Sequence, residues 1–205
     1  MWTEDGTAVI LEFLSDDPNL SGGQMQELPT KGNLSAVQVP HASIVKDLHD
    51  KIVIEAERLT DKALTKETIA YANIVSFTCL KAFALEHRGH PKDAHDLVYC
   101  SEHYTDKPGA AERIAEALGG KHAEVVDKAL TILVNRFTHD DPDQSYRRDG
   151  PTVAAAFEYP NPHSDPEIQQ LRLLAQRNAA RVVTELLTLV GYIKPAADSA
   201  SVVDK

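Results

Sequence analysis

The sequence predicts an α+β chain, a small N-terminal sheet followed by a C-terminal helical bundle. Three observations predict it. Short apolar or alternating runs, several with β-branched residues, occupy residues 8–14, 36–39 and 51–57; apolar residues recur at three-and-four spacing from Lys66 to Val190; and Gly and Pro punctuate that second part where helices would stop and start. The corresponding division is 1–65 for the sheet region, 66–191 for the helical region and 192–205 for a flexible tail.

Ala8-Val9-Ile10-Leu11-Glu12-Phe13-Leu14 holds one carboxylate and runs into Asp16-Asp17-Pro18-Asn19, so it reads as a buried strand ending in a turn. Ala36-Val37-Gln38-Val39 and Lys51-Ile52-Val53-Ile54-Glu55-Ala56-Glu57 alternate with period two and complete the sheet. From Lys66 the spacing turns helical: Ile69, Ala72, Val75, Phe77, Cys79, Leu80, Phe83 and Ala84 make a broad apolar face that stops before Gly89 and Pro91. Residues 93–103 form a second helix, 108–118 a third closed by Gly119-Gly120, and 123–137 a fourth. Residues 138–166, rich in Asp, Pro, Asn and Gly, read as a long loop with at most a helical turn at 152–157. A last helix, 166–190, starts at a Ser164 or Asp165 cap, carries apolar residues from Leu171 and Leu174 to Val183, Leu187 and Val190 that repeat at three-and-four spacing, and ends at Gly191.

Composition narrows the function classes. The chain has 205 residues and 22.5 kDa, and Lys+Arg 21 against Asp+Glu 31 gives 21 − 31 = −10, a balance that disfavours nonspecific DNA binding. No window approaches the ~18 consecutive apolar residues of a membrane span. Met1-Trp2-Thr3-Glu4-Asp5 lacks the pattern of a signal peptide, so a cytoplasmic protein without a membrane partner is expected. Cys79 and Cys100 sit in expected helices and read as free thiols.

One segment concentrates charge with chemistry, residues 80–99. Lys81 lies on an otherwise apolar helix, where a cation costs several kcal/mol unless an anion meets it. Arg88 follows nearly two turns later on the same side, and after the Gly-His-Pro break Lys92, Asp93 and Asp96 open the next helix. Two readings are open: a functional constellation, or a hinge ion pair that only fixes the angle between helices, with Asp93 as a cap.

The run Lys81…Arg88-Gly-His-Pro-Lys92-Asp93-Ala-His-Asp96-Leu97 resembles the signature of abortive-infection-type, AbiEii-like nucleotidyltransferases of the DNA polymerase β-like superfamily. Leu11-Glu12-Phe13-Leu14 resembles that family's hydrophobic-acid-hydrophobic strand, and the sheet would be a remnant of its core. The resemblance covers roughly residues 8–104 and implies roles residue by residue. Lys81 approaches the nucleotide phosphates, and Asp93 and Asp96 form the acidic motif that completes the catalytic set. Arg88 and Lys92 bind the cofactor, and Glu12 is a metal ligand. The implied cofactors are Mg²⁺ and a nucleoside triphosphate; the acceptor is an RNA or protein hydroxyl, and the setting toxin–antitoxin or phage defence. Such a transfer needs carboxylates for the metal and cations for developing charge. The family's Gly-Ser followed by Asp-x-Asp is missing from this sequence, so catalysis is expected only where that half is supplied. Two alternatives stand: a degenerate helical module that binds a nucleotide or a partner, and a metal-dependent hydrolase built on His87, His90, His95 and His103. Tyr146-Arg147-Arg148 reads as a loop charge group that is too small for an RNA footprint.

Overall fold

A computed structural model describes residues 11–30, 34–58, 60–161 and 165–194. It is α+β, with the strands in the N-terminal part and the helices after them, and it divides into two compact units, Met1–Ser76 and Phe77–Lys205.

In the first unit β1 (Phe13–Ser15), β2 (Met25–Glu27) and β3 (Ser35–Gln38) form a sheet of order β1-β3-β2. β1 runs parallel to β3 with Phe13 opposite Ala36, and β2 runs antiparallel with Met25 opposite Val37. Ala36 and Gln38 point inward, and the buried Gln38 amide oxygen accepts from Ser15 Oγ and from the Asp17 amide at 2.7 Å, which satisfies a polar group out of water. β1 differs from the expected buried strand: Leu14 is 55% exposed, because the strand is a three-residue edge covered on few sides. The stretch 8–10 lies outside the described residues. β2 escaped the sequence reading because three residues are too few to show a period. Asp16 accepts from the His41 and Ser43 amides and holds the start of a 3₁₀ turn, Ala42–Lys46.

β4 (His49–Glu57) and β5 (Leu64–Ala72) make a two-stranded ribbon in which Ile52 faces Ile69 and Glu55 faces Lys66. This corrects the reading of a helix from Lys66. Thr65, Thr68 and Ile69 favour the extended chain, and pairing across a short turn with β4 outweighs the helical spacing of Ile69, Ala72 and Val75. The turn holds Lys62 at φ 57, with Arg58 bonded to Asp61 at 2.6 Å.

Helix begins only at α1 (Ile74–Arg88), where the Asn73 side chain accepts from the Val75 and Ser76 amides. Then come α2 (Pro91–His103), α3 (Lys107–Leu118) and α4 (Ala123–Phe137), close to expectation. The expected long loop is instead a 3₁₀ turn, Pro142–Arg147, and a full helix, α5 (Asp149–Glu158). Its Gly and Pro misled, because both are buried within the first turn of α5, where Pro is tolerated and Gly150 lies against Phe137. The final helix, α6 (Pro166–Leu189), is capped by Asp165 and closed by Gly191 at φ +76. It packs on α5, α4, α2 and α3 through Ala179, Val183, Leu186 and Leu187, although Leu171 and Leu174 near its start remain partly exposed. The expected tail beyond residue 194 lies outside the described residues.

Candidate functional site

The α1–α2 corner follows from local chemistry. Gly89 takes φ +57 and its amide returns to Leu85 O, which ends α1; Pro91 then supplies the fixed φ of a first helical residue, and the His90 ring accepts from the Lys92 amide. The corner sets the last turns of α1 against the first turn of α2. Lys81 Nζ donates to Asp93 Oδ1 at 3.0 Å and to Asp96 Oδ2 at 2.7 Å. Arg88 grips Asp93 with two nitrogens, Nε to Oδ2 at 2.7 Å and Nη2 to Oδ1 at 3.0 Å, and Lys92 Nζ reaches Asp96 Oδ2 at 2.7 Å. The five residues 81, 88, 92, 93 and 96 are therefore brought together as the sequence pattern required.

Burial is graded across the cluster. The Asp93 side chain is 4% exposed and Lys81 20%, whereas Arg88 and Lys92 are 67% and 59% exposed. Burial pushes the Asp93 carboxyl up, but hydrogen bonds from Arg88 and Lys81 outweigh it and hold the group below the ordinary value, helped by its place in the first turn of α2. Asp96 is likewise depressed: burial raises it, and Lys81 and Lys92 more than compensate. The Lys92 ammonium is raised, first by its hydrogen bond to Asp96.

Three cations against two carboxylates give 3 − 2 = +1, with the acids inside and two cations outside. That arrangement does not fit a divalent cation, since both Asp93 oxygens are already occupied by donors and the net charge repels a metal. It fits an anion such as a phosphate group. Glu12 is exposed in the first unit, at the residue before β1. Among the described residues no group of three or more His, Cys, Asp and Glu side chains could hold a metal ion.

The histidines take other roles. His87 and His90 are exposed on either side of Gly89. His95 packs on Phe157 at 4.4 Å between ring centres and meets Glu158 Oε1 at 3.2 Å; Tyr99 and His103 stack at 4.2 Å. His95, Tyr99, His103, Glu158 and Asn178 border a groove of about 220 Å³ between α2, α5 and α6, which the sequence did not disclose because Glu158 lies 63 residues from His95. Arg136 was missed as well. It binds Leu85 O at 2.8 Å and pairs with Glu86 and Asp149, so it ties α4 to α1 and α5. Tyr146 lies under the Arg147 and Arg177 guanidinium groups.

Comparison with family models, with curated proteins and with solved structures returns no match for this chain.

Proposed function

We propose that the chain is a nucleotidyltransferase-family protein of AbiEii-like type whose α1–α2 corner receives the phosphates of a nucleoside triphosphate. The supporting observation is the layered charge of that corner: buried Asp93 and half-buried Asp96 hold Lys81 in place, with Arg88 and Lys92 exposed. Lys81 is the point charge nearest the two acids, and Asp93 is the positioning group that aligns Lys81 and Arg88. Transfer to an RNA or protein hydroxyl, with Mg²⁺, requires the Gly-Ser…Asp-x-Asp half that this sequence lacks, and Glu12 is the metal ligand this chain would add. A toxin–antitoxin or phage-defence role belongs to the same proposal.

The test is calorimetric titration of the chain with ATP, and with tripolyphosphate as the phosphate-only control. Binding is expected with both, and Lys92→Ala and Arg88→Ala should each weaken it roughly tenfold, the loss of about one charge-assisted contact. Unchanged affinity in both variants would overturn the assignment.

A second reading rests on the saturation of Asp93, whose two oxygens already receive three hydrogen bonds. On that reading the network is a pin that fixes the α1–α2 angle in a non-catalytic, partner-binding module. It predicts no triphosphate binding and a loss of stability on breaking the pin.

A further inference from the structure

Read along the chain, Tyr146-Arg147-Arg148 is a small charge group, and the fold gives it new company. Tyr146 stands in the 3₁₀ turn Pro142–Arg147, which packs on α6, and Arg177 of α6 comes to the same ring. Arg147 Nε donates to the Tyr146 phenol oxygen at 2.9 Å, and the guanidinium carbons of Arg147 and Arg177 lie 5.5 Å and 5.2 Å from the ring centre. Both arginines hydrogen-bond to the phenol and hold it below the ordinary tyrosine value, the Arg147 bond foremost. Among the described residues neither guanidinium meets a carboxylate, and the Tyr146 O–H has no acceptor. Arginine carries only donors and the phenol keeps one, so three groups with donors to spare converge and no protein acceptor answers them. The neighbouring charges are spent: Arg181, one turn along α6, bonds to Glu185, Glu102 and Asn178, and Lys107 also reaches Glu185. Asp143 is the remaining acid on the wall, which leaves 2 − 1 = +1. These groups open on a groove of about 870 Å³ between the turn and α6, where Thr184 adds a hydroxyl and Ala180 and Leu189 add apolar surface. That is the size of a small-molecule site.

We propose that this groove binds a small organic phosphate monoester, its phosphate held by Arg147, Arg177 and the Tyr146 O–H. Three donor groups suit the three terminal oxygens of a monoester. A carboxylate offers two oxygens in one plane, which a single guanidinium fork already saturates. The organic part lies in the groove, against Ala180 and Leu189. The site shares no residue with the α1–α2 corner and does not rest on the function proposed for that corner.

The experiment is calorimetric titration of the full chain with phenyl phosphate, and with inorganic phosphate and benzoate in parallel. Phenyl phosphate should bind saturably with a Kd of about 1 mM or tighter, and the other two about tenfold more weakly or worse. Arg147→Ala and Arg177→Ala, both at exposed positions, should each weaken phenyl phosphate about tenfold, the loss of one charge-assisted contact, with an unchanged circular dichroism spectrum. Tyr146→Phe, which keeps the ring and removes the O–H, should weaken it to a smaller extent. Arg88→Ala and Lys92→Ala at the α1–α2 corner should leave it unchanged. As a second readout, the ¹⁵N NMR signals of the Arg147 and Arg177 Nε–H groups, assigned from the same variants, should move on titration. No saturable binding, a loss confined to the corner variants, arginine signals that stay in place, or equal affinity for benzoate or inorganic phosphate overturns the proposal. A short phosphotyrosine peptide that binds more tightly than phenyl phosphate also overturns it, and gives the site to a phosphorylated protein.

Discussion

Three hydrogen bonds converge on the Asp93 carboxylate, from Lys81 and twice from Arg88, and the side chain has almost no access to water. Removing its charge takes away one of the two carboxylates that meet Lys81 and the one that Arg88 grips. Asp93→Asn should therefore cost about 3 kcal/mol in urea denaturation at neutral pH. The sign of the pH dependence follows from the depressed carboxyls. In the unfolded chain Asp93 and Asp96 titrate near 3.8 and in the folded chain lower, so their contribution is complete above 3.8 and is lost as pH falls through the folded values. The gap between wild type and Asp93→Asn should close in that acid range; a constant gap would show that Asp93 acts by shape rather than charge. The thiols give a second check. Burial pushes Cys79 up to about 12, and Cys100, half-buried, is also raised, first by burial and then by Asp96. A thiol reagent at pH 8 should leave Cys79 unmodified until the chain is unfolded. The pairing of Lys81 and Arg88 with Asp93 was legible in the sequence because the spacing is local and helical. The Glu158 and Phe157 contacts of His95 were not, since nothing local links α2 to α5.

At the scale of elements, the helices with one clean apolar face were readable: α4 matches its expected bounds, and Asp165 and Gly191 delimit α6 as expected. Two elements were not. β5 carries apolar residues at positions that satisfy both periods, and only its partner strand decides between them. α5 begins with Gly150 and Pro151, ordinary loop signals, yet a Cβ on Gly150 would lie 2.7 Å from the Phe137 ring and 2.8 Å from Arg136 O. The glycine is there for close packing of α5 on the end of α4. Gly150→Ala should destabilise by about 1–3 kcal/mol, as overpacking does, measurable as a lower urea midpoint with an unchanged slope. Leu187→Ala, at a fully buried position of α6, should cost about 2–5 kcal/mol by opening a cavity. Leu174→Ala, on the exposed part of the same helix, should cost far less.

Across the whole molecule the excess of acidic residues, −10, sets the background against which the +1 corner must work. A long polyanion meets general repulsion, whereas the triphosphate of the proposed function would address the corner alone. Random-sequence duplex DNA should therefore show no anisotropy change with this chain at physiological salt; saturable binding there would contradict the charge argument. No helix among the described residues is long and apolar enough to cross a membrane. The α+β class was legible because composition changes character along the chain, strand-like before and helix-like after. The boundary was not, since the strand region runs to Ala72, past the expected division at residue 65.

β3 lies between β1 and β2, and β1 joins it in parallel across a separation of 23 residues, Phe13 to Ala36, while β4 and β5 meet across a short turn. This arrangement orders events in time. A hairpin closes in about 1–10 μs, whereas β1 must find β3 across a longer stretch of chain, a pairing of higher sequence separation and slower closure. In pulse-labelled hydrogen exchange during refolding, the amides of β4 and β5 should gain protection first and those of β1 last, so the stretch carrying Glu12 is the final part of its sheet to become ordered.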